Sequence, residues 1–174
     1  MSLTPLDKNA IRLSFDRAAS SYDHHAVLQR EIESRLLERI EFLRHEPATV
    51  LDLGCGTGSA SRVLAGQFPQ AGVIALDWAP SMLAQTGVAI PTEHQTTGSV
   101  NRLCADMHSL PLASRSVDLI FSNLALQWSY DLEAVFREFR RTMRADAMLV
   151  FSCFGPDTLH ELKQAWRAVD ELSG

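Results

Sequence analysis

An apolar segment at residues 50–53 runs directly into residues 54–58, Gly-Cys-Gly-Thr-Gly. Glycine adopts positive φ and lets a ligand approach the backbone closely. A helix that begins at about Ser59 places free backbone N–H groups at the same turn, where they can bind an anionic group. The pattern predicts a cofactor-binding loop between a buried strand and a helix of an α/β protein.

The spacing of the glycines favours S-adenosylmethionine over a dinucleotide as the ligand of this loop. Dinucleotide loops read G-x-G-x-x-G, because a pyrophosphate sits on the helix N-terminus. This loop reads G-x-G-x-G and follows an acid, Asp52. S-adenosylmethionine carries no phosphate, but it has an ammonium, a carboxylate, a ribose diol and an adenine. We expect Asp52 to suit the ammonium and the loop amides to suit the carboxylate.

Two further acids follow two further predicted strands. Asp77 ends the apolar segment 71–76 and is expected to accept hydrogen bonds from the ribose. Dinucleotide sites also place an acid at this distance, so Asp77 alone does not discriminate between the cofactors. Asp106 and Met107 follow the segment 100–104, where they can bind the adenine amine and pack against its ring. Acids at three successive strand ends favour S-adenosylmethionine.

These motifs, together with residues 118–123, Asp-Leu-Ile-Phe-Ser-Asn, resemble the class I methyltransferase family over about residues 48–154. The resemblance implies S-adenosylmethionine as the cofactor and no metal. The candidate cofactor-binding residues are Phe15, Tyr22, Asp52, Gly54, Cys55, Gly56, Gly58, Asp77, Trp78, Asp106, Met107 and Asn123.

The elements that must position these residues alternate along the chain. We predict helices over 7–18 and 24–45, and then strands over 49–53, 72–76, 100–104, 117–122 and 147–153. Helices are predicted over 59–67, after Pro80 and over 131–143, with a loop at 88–98 and a last helix starting near Gly155. Alternation of this kind predicts an α/β fold, a Rossmann-like, mostly parallel sheet with helices on both faces. In the helix over 24–45 an apolar stripe recurs every three or four residues, and its charged residues, Glu33 among them, are assigned to solvated faces. The stripe is Leu28, Ile32, Leu36, Ile40 and Leu43.

The family resemblance implies seven strands, whereas this chain shows five. We therefore expect the C-terminal strands to be missing. The expected organisation is an N-terminal helical cap over 1–46, a cofactor-binding domain over 47–155, and the start of a truncated helical lid over 156–174.

Composition excludes several other classes of protein. The chain has 174 residues, a formal net charge of −5 and 46% hydrophobic residues. The negative charge argues against a general nucleic-acid binder, and no signal-peptide or membrane-spanning pattern is present. The six histidines lack metal-ligand spacing, and the three cysteines, Cys55, Cys104 and Cys153, are expected to be buried thiols in a reducing compartment. We expect a cytoplasmic protein that is a monomer.

Three segments narrow the resemblance to the malonyl-acyl carrier protein O-methyltransferases of biotin synthesis. They are residues 14–29, which contain Ser-Phe-Asp-Arg-Ala-Ala, residues 123–128, Asn-Leu-Ala-Leu-Gln-Trp, and residues 154–166, which begin Phe-Gly-Pro-Asp-Thr-Leu. Residues 145–147, Ala-Asp-Ala, depart from the family pattern, in which many relatives carry a Gly pair. The implied substrate is malonyl-acyl carrier protein or malonyl-CoA, whose free carboxylate becomes a methyl ester on the way to pimeloyl groups. Tyr22, Gln127 and Trp128 are the candidate catalytic residues, and Phe15 would help Tyr22 close over the cofactor.

Three other readings of the sequence stay open. A methyltransferase acting on a quinone or another small molecule would share the same cofactor motifs. Some relatives with a similar loop and tail are assembly factors that modify a subunit of a respiratory complex. A module that binds the cofactor without turnover is the third. Because acyl carrier proteins are acidic, a local basic patch is also expected, for which Arg137, Arg140, Arg141 and Arg144 are the candidates. The arginine that binds the substrate carboxylate is either Arg17 or a residue beyond Gly174.

Overall fold

The computed structural model describes residues 7–42, 46–86 and 99–155, and in the tail residues 157–158, 160–161, 164–166 and 169. Three helices come first: α1 (Lys8–Ala18), α2 (Tyr22–His25) and α3 (Val27–Glu41). They are followed by β1 (Thr49–Leu53), α4 (Ser59–Gln67), β2 (Gly72–Asp77), α5 (Pro80–Gln85) and β3 (Val100–Cys104). The last elements are β4 (Val117–Asn123), a 3₁₀ turn (Leu126–Trp128), α6 (Leu132–Thr142) and β5 (Met143–Ser152).

The five strands form one parallel sheet in the order β3-β2-β1-β4-β5. Strand β1 lies at the centre, with Leu53 beside Leu76 of β2 and Asp52 beside Phe121 of β4. The chain moves outward from β1 in one direction and then in the other, so the crevice at the carboxyl ends of β1 and β4 is the switch point where ligands bind in such sheets. The predicted fold class is confirmed, and the acids at the strand ends lie at this edge.

Helices cover both faces of the sheet. On one face, α3 and α4 contribute Leu37, Ile40 and Leu64 to a core that includes Phe121. On the other face, Val135 and Phe139 of α6 pack with residues of β1, β2 and β4. The strands are buried on both sides, which explains why β1 and β4 read as continuous apolar runs rather than as alternating ones.

Local sequence signals start the helices that frame the crevice. The Asp7 carboxylate accepts hydrogen bonds from the N–H groups of Asn9 and Ala10 and caps α1. The Asp131 carboxylate caps α6 in the same way. Each cap satisfies backbone donors that have no partner inside the helix.

The N-terminal helices differ from the prediction. The single helix expected over 24–45 is two helices, α2 and α3, which meet at Ala26. The buried face of α3 is centred on Leu37 and Ile40, and Leu28, assigned to the apolar stripe, is 54% exposed. Ile40 of the stripe is buried and Leu36 packs against the same core, so the stripe is right at these two positions. It is wrong at Leu28, and it leaves out the buried Leu37. Leu43 of that stripe and the whole of the predicted loop over 88–98 lie outside the described residues.

Strand β5 begins four residues earlier than predicted, at Met143 instead of residue 147. Val117 pairs with Met143, but Leu119 pairs with Met148, so the ladder is interrupted between these two points. The interruption coincides with the Ala-Asp-Ala sequence at 145–147. Regular pairing resumes at Met148 and continues to Ser152 beside Asn123, which brings the end of β5 to the same edge as the other strands.

Candidate cofactor-binding site

The loop after β1 is held in place by backbone hydrogen bonds to the neighbouring strand. The N–H groups of Gly54 and Cys55 both donate to the carbonyl of Leu76, at 2.8 and 3.0 Å. Gly54 has φ +72°, and a methyl group added there would overlap the side chain of Ala125 in the loop after β4. The backbone at Gly54 therefore requires glycine both for its conformation and for the close approach of a second loop.

Gly56 faces open space at the crevice. Its φ is +54°, and the nearest atom to an added methyl group would be a ring carbon of Tyr22 at 4.0 Å. Its N–H donates to the Asp77 carboxylate at 2.9 Å. A ligand can thus approach the backbone at Gly56, which is the opening that the sequence pattern predicts for a cofactor loop.

Asp77 is fixed at the end of β2 by two backbone donors. One carboxylate oxygen accepts from Gly56, and the other accepts from the N–H of Ala79 at 2.9 Å. Burial raises the pKa of the Asp77 carboxyl, and the backbone N–H groups of Ala79 and Gly56 partly offset that rise. The carboxylate is oriented by backbone atoms, so it is a rigid acceptor at the edge of the crevice.

Asp52 is buried beneath the loop. Its carboxylate accepts a hydrogen bond from the hydroxyl of Ser61, on the first turns of α4, at 2.5 Å. The pKa of Asp52 is raised from 3.8 to about 7, mainly by burial and in addition by the nearby carboxylates of Glu33 and Asp77, while the hydrogen bond from Ser61 opposes the rise. A negative charge on this buried acid is unfavourable in free energy, and a bound cation would make it less so.

Asp106 lies at the third strand end and is paired with Lys8 and His108. It forms an ion pair with Lys8 of α1, and its other oxygen lies 2.6 Å from the ring Nδ1 of His108. Burial alone would raise the pKa of Asp106, but its hydrogen bonds with Lys8 and His108 outweigh burial, and the pKa is lowered. The His108 ring stacks on Tyr130 with 3.8 Å between centroids, so both side chains help to orient Asp106.

One cavity brings most of the predicted residues together. Its wall includes three aromatic side chains, of which Phe15 lies 5.4 Å from Trp128 and 6.3 Å from Tyr22, centroid to centroid. Ten of the predicted site residues line it: Phe15, Tyr22, Gly54, Gly56, Asp77, Trp78, Asp106, Met107, Asn123 and Trp128. The cavity is therefore polar at the strand ends and aromatic on the side of the N-terminal helices.

A second, adjoining cavity lies under the glycine loop and α3. Tyr22, Gly54, Gly56 and Asn123 line both cavities, and the remaining predicted residues Asp52 and Cys55 line the second. The Asn123 side chain is held by the carbonyl of Gln29, to which it donates, and by the Ser152 hydroxyl, from which it accepts.

Two predicted residues lie outside the lining of these two cavities. Gly58 has φ +79° at the start of α4, where an added methyl group would overlap the side chain of Thr86. The side-chain amide oxygen of Gln127, Oε1, is buried and has no hydrogen-bond partner among the described residues. Gly58 thus packs the loop against α5, and Gln127 is not part of the lining of either cavity.

Comparison with known proteins decides the family. A family model described as a methyltransferase domain matches residues 51–151, which run from β1 to the end of β5. The chain belongs to this methyltransferase domain family. Among solved structures, a complex of the Haloferax volcanii Trm112 methyltransferase activator with a methyltransferase superposes with a TM-score of 0.71 at 23% identity, covering 87% of this chain and 66% of that one. An S-adenosylmethionine-dependent methyltransferase from Mesorhizobium loti is 27% identical with a TM-score of 0.57, covering 72% of this chain and 55% of that one.

Curated relatives are more similar in sequence. Malonyl-[acyl-carrier protein] O-methyltransferase of Gallionella capsiferriformans (strain ES-2) is 47% identical over 170 residues, which is 97% of this chain and 59% of the relative. The chain spans 55% to 59% of the length of the first four curated relatives that it matches.

The sequence reasoning missed several residues that line these cavities, among them His108 and Glu33. His108 lines the main cavity, and its ring bridges Asp106 and the Ser129 hydroxyl, which lies 2.9 Å from Nε2. Glu33 lines the second cavity. Spacing could have identified Glu33, because it lies four residues before the buried Leu37 on the same helix face. Nothing in the local pattern around His108 distinguishes it from a surface histidine.

The candidate basic patch of the methyltransferase domain lies at the wrong edge of the sheet. Arg141 and Thr142 pair through their carbonyls with Arg115 and Ser116, which precede β4. This is the amino end of β4, opposite the crevice. Arg141 is bound to Glu138 and to the carbonyls of Leu110 and Leu112, and a further member of the cluster, Arg144, pairs with Asp118.

The expectation of three buried cysteines is wrong for two of them. Cys104 and Cys153 are exposed and Cys55 is partly buried, and all three are free. Cys104 ends an edge strand and Cys153 follows the other edge strand, so neighbouring chain covers neither of them as it covers β1. Across the described part of the methyltransferase domain, no group of His, Cys, Asp or Glu side chains could hold a metal ion, and no helix is long and apolar enough to cross a membrane.

Proposed function

We propose that this chain is the cofactor-binding part of a malonyl-acyl carrier protein O-methyltransferase that uses S-adenosylmethionine to convert the malonyl carboxylate to a methyl ester. The observation that carries the proposal is a cavity with rigid carboxylates at the strand ends and an aromatic wall at the N-terminal helices. The 47% identity to a curated relative with this activity supports the choice of substrate. An early role in pimeloyl and biotin synthesis follows from that substrate.

The proposed organisation has three parts. Residues 1–46 form a helical cap, 47–155 the cofactor-binding domain, and 156–174 the start of a lid. Support for the cap comes from Phe15 of α1 and Tyr22 of α2, which form part of the cavity wall. Most of the last part lies outside the described residues. A cytoplasmic monomer that accepts the malonyl group from the carrier protein or from CoA completes the proposal.

The proposed binding roles follow the polarity of the two cavities. Asp77 accepts hydrogen bonds from the ribose, because its oxygens are already fixed by two backbone donors. Asp106 binds the adenine amine, with Met107 and Trp78 against the ring. The loop amides and Asp52 bind the methionine end, with Cys55, Gly58 and Asn123 shaping the loop around it.

The proposed reaction requires no strong base. A malonyl carboxylate is ionised at neutral pH, so its oxygen is already a nucleophile. When bound, S-adenosylmethionine supplies a sulfonium methyl group; the new C–O bond forms as the S–C bond breaks, and the electron pair stays on sulfur. The residues of the chain act by positioning and by excluding water. Tyr22 and Trp128 close the aromatic wall around the reacting groups, and Gln127 orients Trp128 or the substrate.

A methyl-transfer assay tests the proposal. The full-length protein is incubated with methyl-labelled S-adenosylmethionine and malonyl-acyl carrier protein, with acetyl-acyl carrier protein as the matched control that lacks the free carboxylate. We expect label on the malonyl thioester alone, released as methanol by an esterase. Intact cofactor binding without transfer to either malonyl-acyl carrier protein or malonyl-CoA would refute the proposed substrate.

A further inference from the structure

The inward face of α3 changes from apolar to charged where the helix passes the glycine loop. Leu37 and Ile40 are buried in the core between α3 and the sheet. The same face, followed towards the N-terminus in steps of four and three residues, carries Glu33 and Arg30. Both residues line the second cavity, together with the loop. A position that periodicity assigns to the core therefore holds a carboxylate.

The charges around this second cavity do not cancel locally. Glu33 and Asp52 interact electrostatically, and each is enclosed enough for burial to raise its pKa. The Ser59 hydroxyl and the guanidinium groups of Arg62 and Arg30 oppose the rise at Glu33, whereas the carboxylate of Asp23 adds to it. Asp23 itself accepts a hydrogen bond from the Thr57 hydroxyl at 2.7 Å. The cavity thus presents two carboxylates that would gain from a cation, beside the guanidinium of Arg30.

An α-amino acid group has the complementary charges. Its ammonium donates up to three hydrogen bonds and suits a pair of carboxylates, and its carboxylate suits a guanidinium. The adjoining main cavity shares Tyr22, Gly54, Gly56 and Asn123 with this one. A single ligand can therefore extend from the strand-end acids into the charged cavity under α3.

We propose that Glu33 is a further cofactor-binding residue, which binds the ammonium of the methionine part of S-adenosylmethionine together with Asp52, while Arg30 binds the carboxylate of that part. The inference rests on the proposed cofactor and is independent of the proposed malonyl substrate. It assigns α3 to the recognition of the amino-acid group, so the N-terminal helices act in binding as well as in covering the cavity.

Calorimetry with three ligands tests the assignment. S-adenosylmethionine and S-adenosylhomocysteine carry the amino-acid group, and 5′-methylthioadenosine keeps the adenosine and the sulfur without it. Glu33→Gln keeps the shape and removes the charge, so we expect it to weaken binding of the first two ligands by about ten- to a hundredfold. Binding of 5′-methylthioadenosine is expected to stay within about twofold of the wild type. Glu38→Gln is the matched control, because Glu38 is an exposed acid of the same helix that accepts a hydrogen bond from Ser34 and does not line the cavity.

The outcomes separate this inference from the proposed cofactor. A wild type that binds S-adenosylmethionine and a Glu33→Gln variant that binds it equally well would overturn the inference alone. An equal loss for all three ligands would show a structural role for Glu33 and would also overturn it. A wild type that binds none of the three would refute the proposed cofactor and this inference together.

A second variant tests the other half of the assignment. Arg30→Gln is expected to weaken binding of S-adenosylmethionine by about tenfold. Decarboxylated S-adenosylmethionine keeps the ammonium and lacks the carboxylate, so its binding is expected to stay nearly unchanged. Equal losses for the two ligands would contradict the role of Arg30.

Discussion

Asp52 makes the stability of the ligand-free protein depend on pH, in a direction and size that follow from its burial. Its pKa in the folded protein is about 7, against an ordinary value of 3.8. The folded state therefore holds this proton more tightly than the unfolded chain does. The stabilisation is fully present below about pH 4 and is lost as the pH rises through about 7. A difference of about 3 pKa units corresponds to about 4 kcal/mol of unfolding free energy.

Urea unfolding of wild type and Asp52→Asn at pH 5.5 and pH 8.5 measures this contribution. Asp52 changes the unfolding free energy only over the interval from pH 5.5 to about 7. Between the two pH values the wild type should therefore lose about 2 kcal/mol more unfolding free energy than the variant. Asparagine keeps an oxygen that can accept from Ser61, so the variant should retain the hydrogen bond. Asp146→Asn, at an exposed position, is the control and should follow the wild type.

Other buried acids determine the pH dependence of stability that remains in the Asp52→Asn variant. Burial also raises the pKa values of Glu33 and Asp77. The variant should therefore keep a smaller pH dependence of the same sign below neutral pH. If wild type and Asp52→Asn lose the same free energy between pH 5.5 and pH 8.5, the buried carboxyl does not titrate as argued and the reasoning fails.

Three further predictions concern the loop and the strand-end acids. Gly54→Ala should lower the unfolding free energy by about 2–5 kcal/mol, because residue 54 has a positive φ and the new methyl group would overlap Ala125. Adding Ala125→Gly leaves a Cα at 3.7 Å as the nearest atom, so the double variant should recover about 1–3 kcal/mol in urea unfolding. No recovery would exclude the overlap as the cause. Asp77→Asn should weaken S-adenosylmethionine binding by about tenfold or more in calorimetry, since a charged acceptor is lost, and unchanged affinity would remove Asp77 from the ribose site. Lys8→Ala should tighten 5′-methylthioadenosine binding by up to about fivefold, because Lys8 competes for Asp106, and weaker binding would show that Lys8 contacts the ligand itself.

The sheet and the glycine loop could be predicted from the sequence because their signals are local. Apolar runs that end in acids predict the strands. In a parallel sheet the carboxyl ends of the strands lie at one edge, independently of the conformation of the connecting loops. The strand bounds of β1 and β3 were predicted to the residue. The N-terminal helices were less predictable, because the orientation of α3 depends on its packing against β4, β5 and α4, which periodicity alone does not fix.

Residues that act through distant contacts could not be predicted in the same way. The pairing of Lys8 with Asp106 joins residues that are 98 positions apart. Gln127 and Trp128 are neighbours in the 3₁₀ turn at Leu126–Trp128, and of the two Trp128 alone lines the main cavity. Adjacent residues of a turn point in different directions, so a motif that contains Gln127 and Trp128 cannot tell which of them faces the cavity.

The buried acids around the loop lower the unfolding free energy of the protein without a ligand, because burial makes their negative charges unfavourable. The same burial makes a bound cation favourable beside them. Asp52, Asp77 and Glu33 come from β1, β2 and α3, so three separate elements each contribute an acid whose pKa is raised by burial. A ligand that carries positive charge regains part of that free energy on binding, whereas a neutral ligand of the same shape does not. Binding to the folded state alone also stabilises it. The site is therefore built to hold a ligand that carries an ammonium group more firmly than one that lacks it, and the difference should be carried by the carboxylates rather than by the aromatic wall.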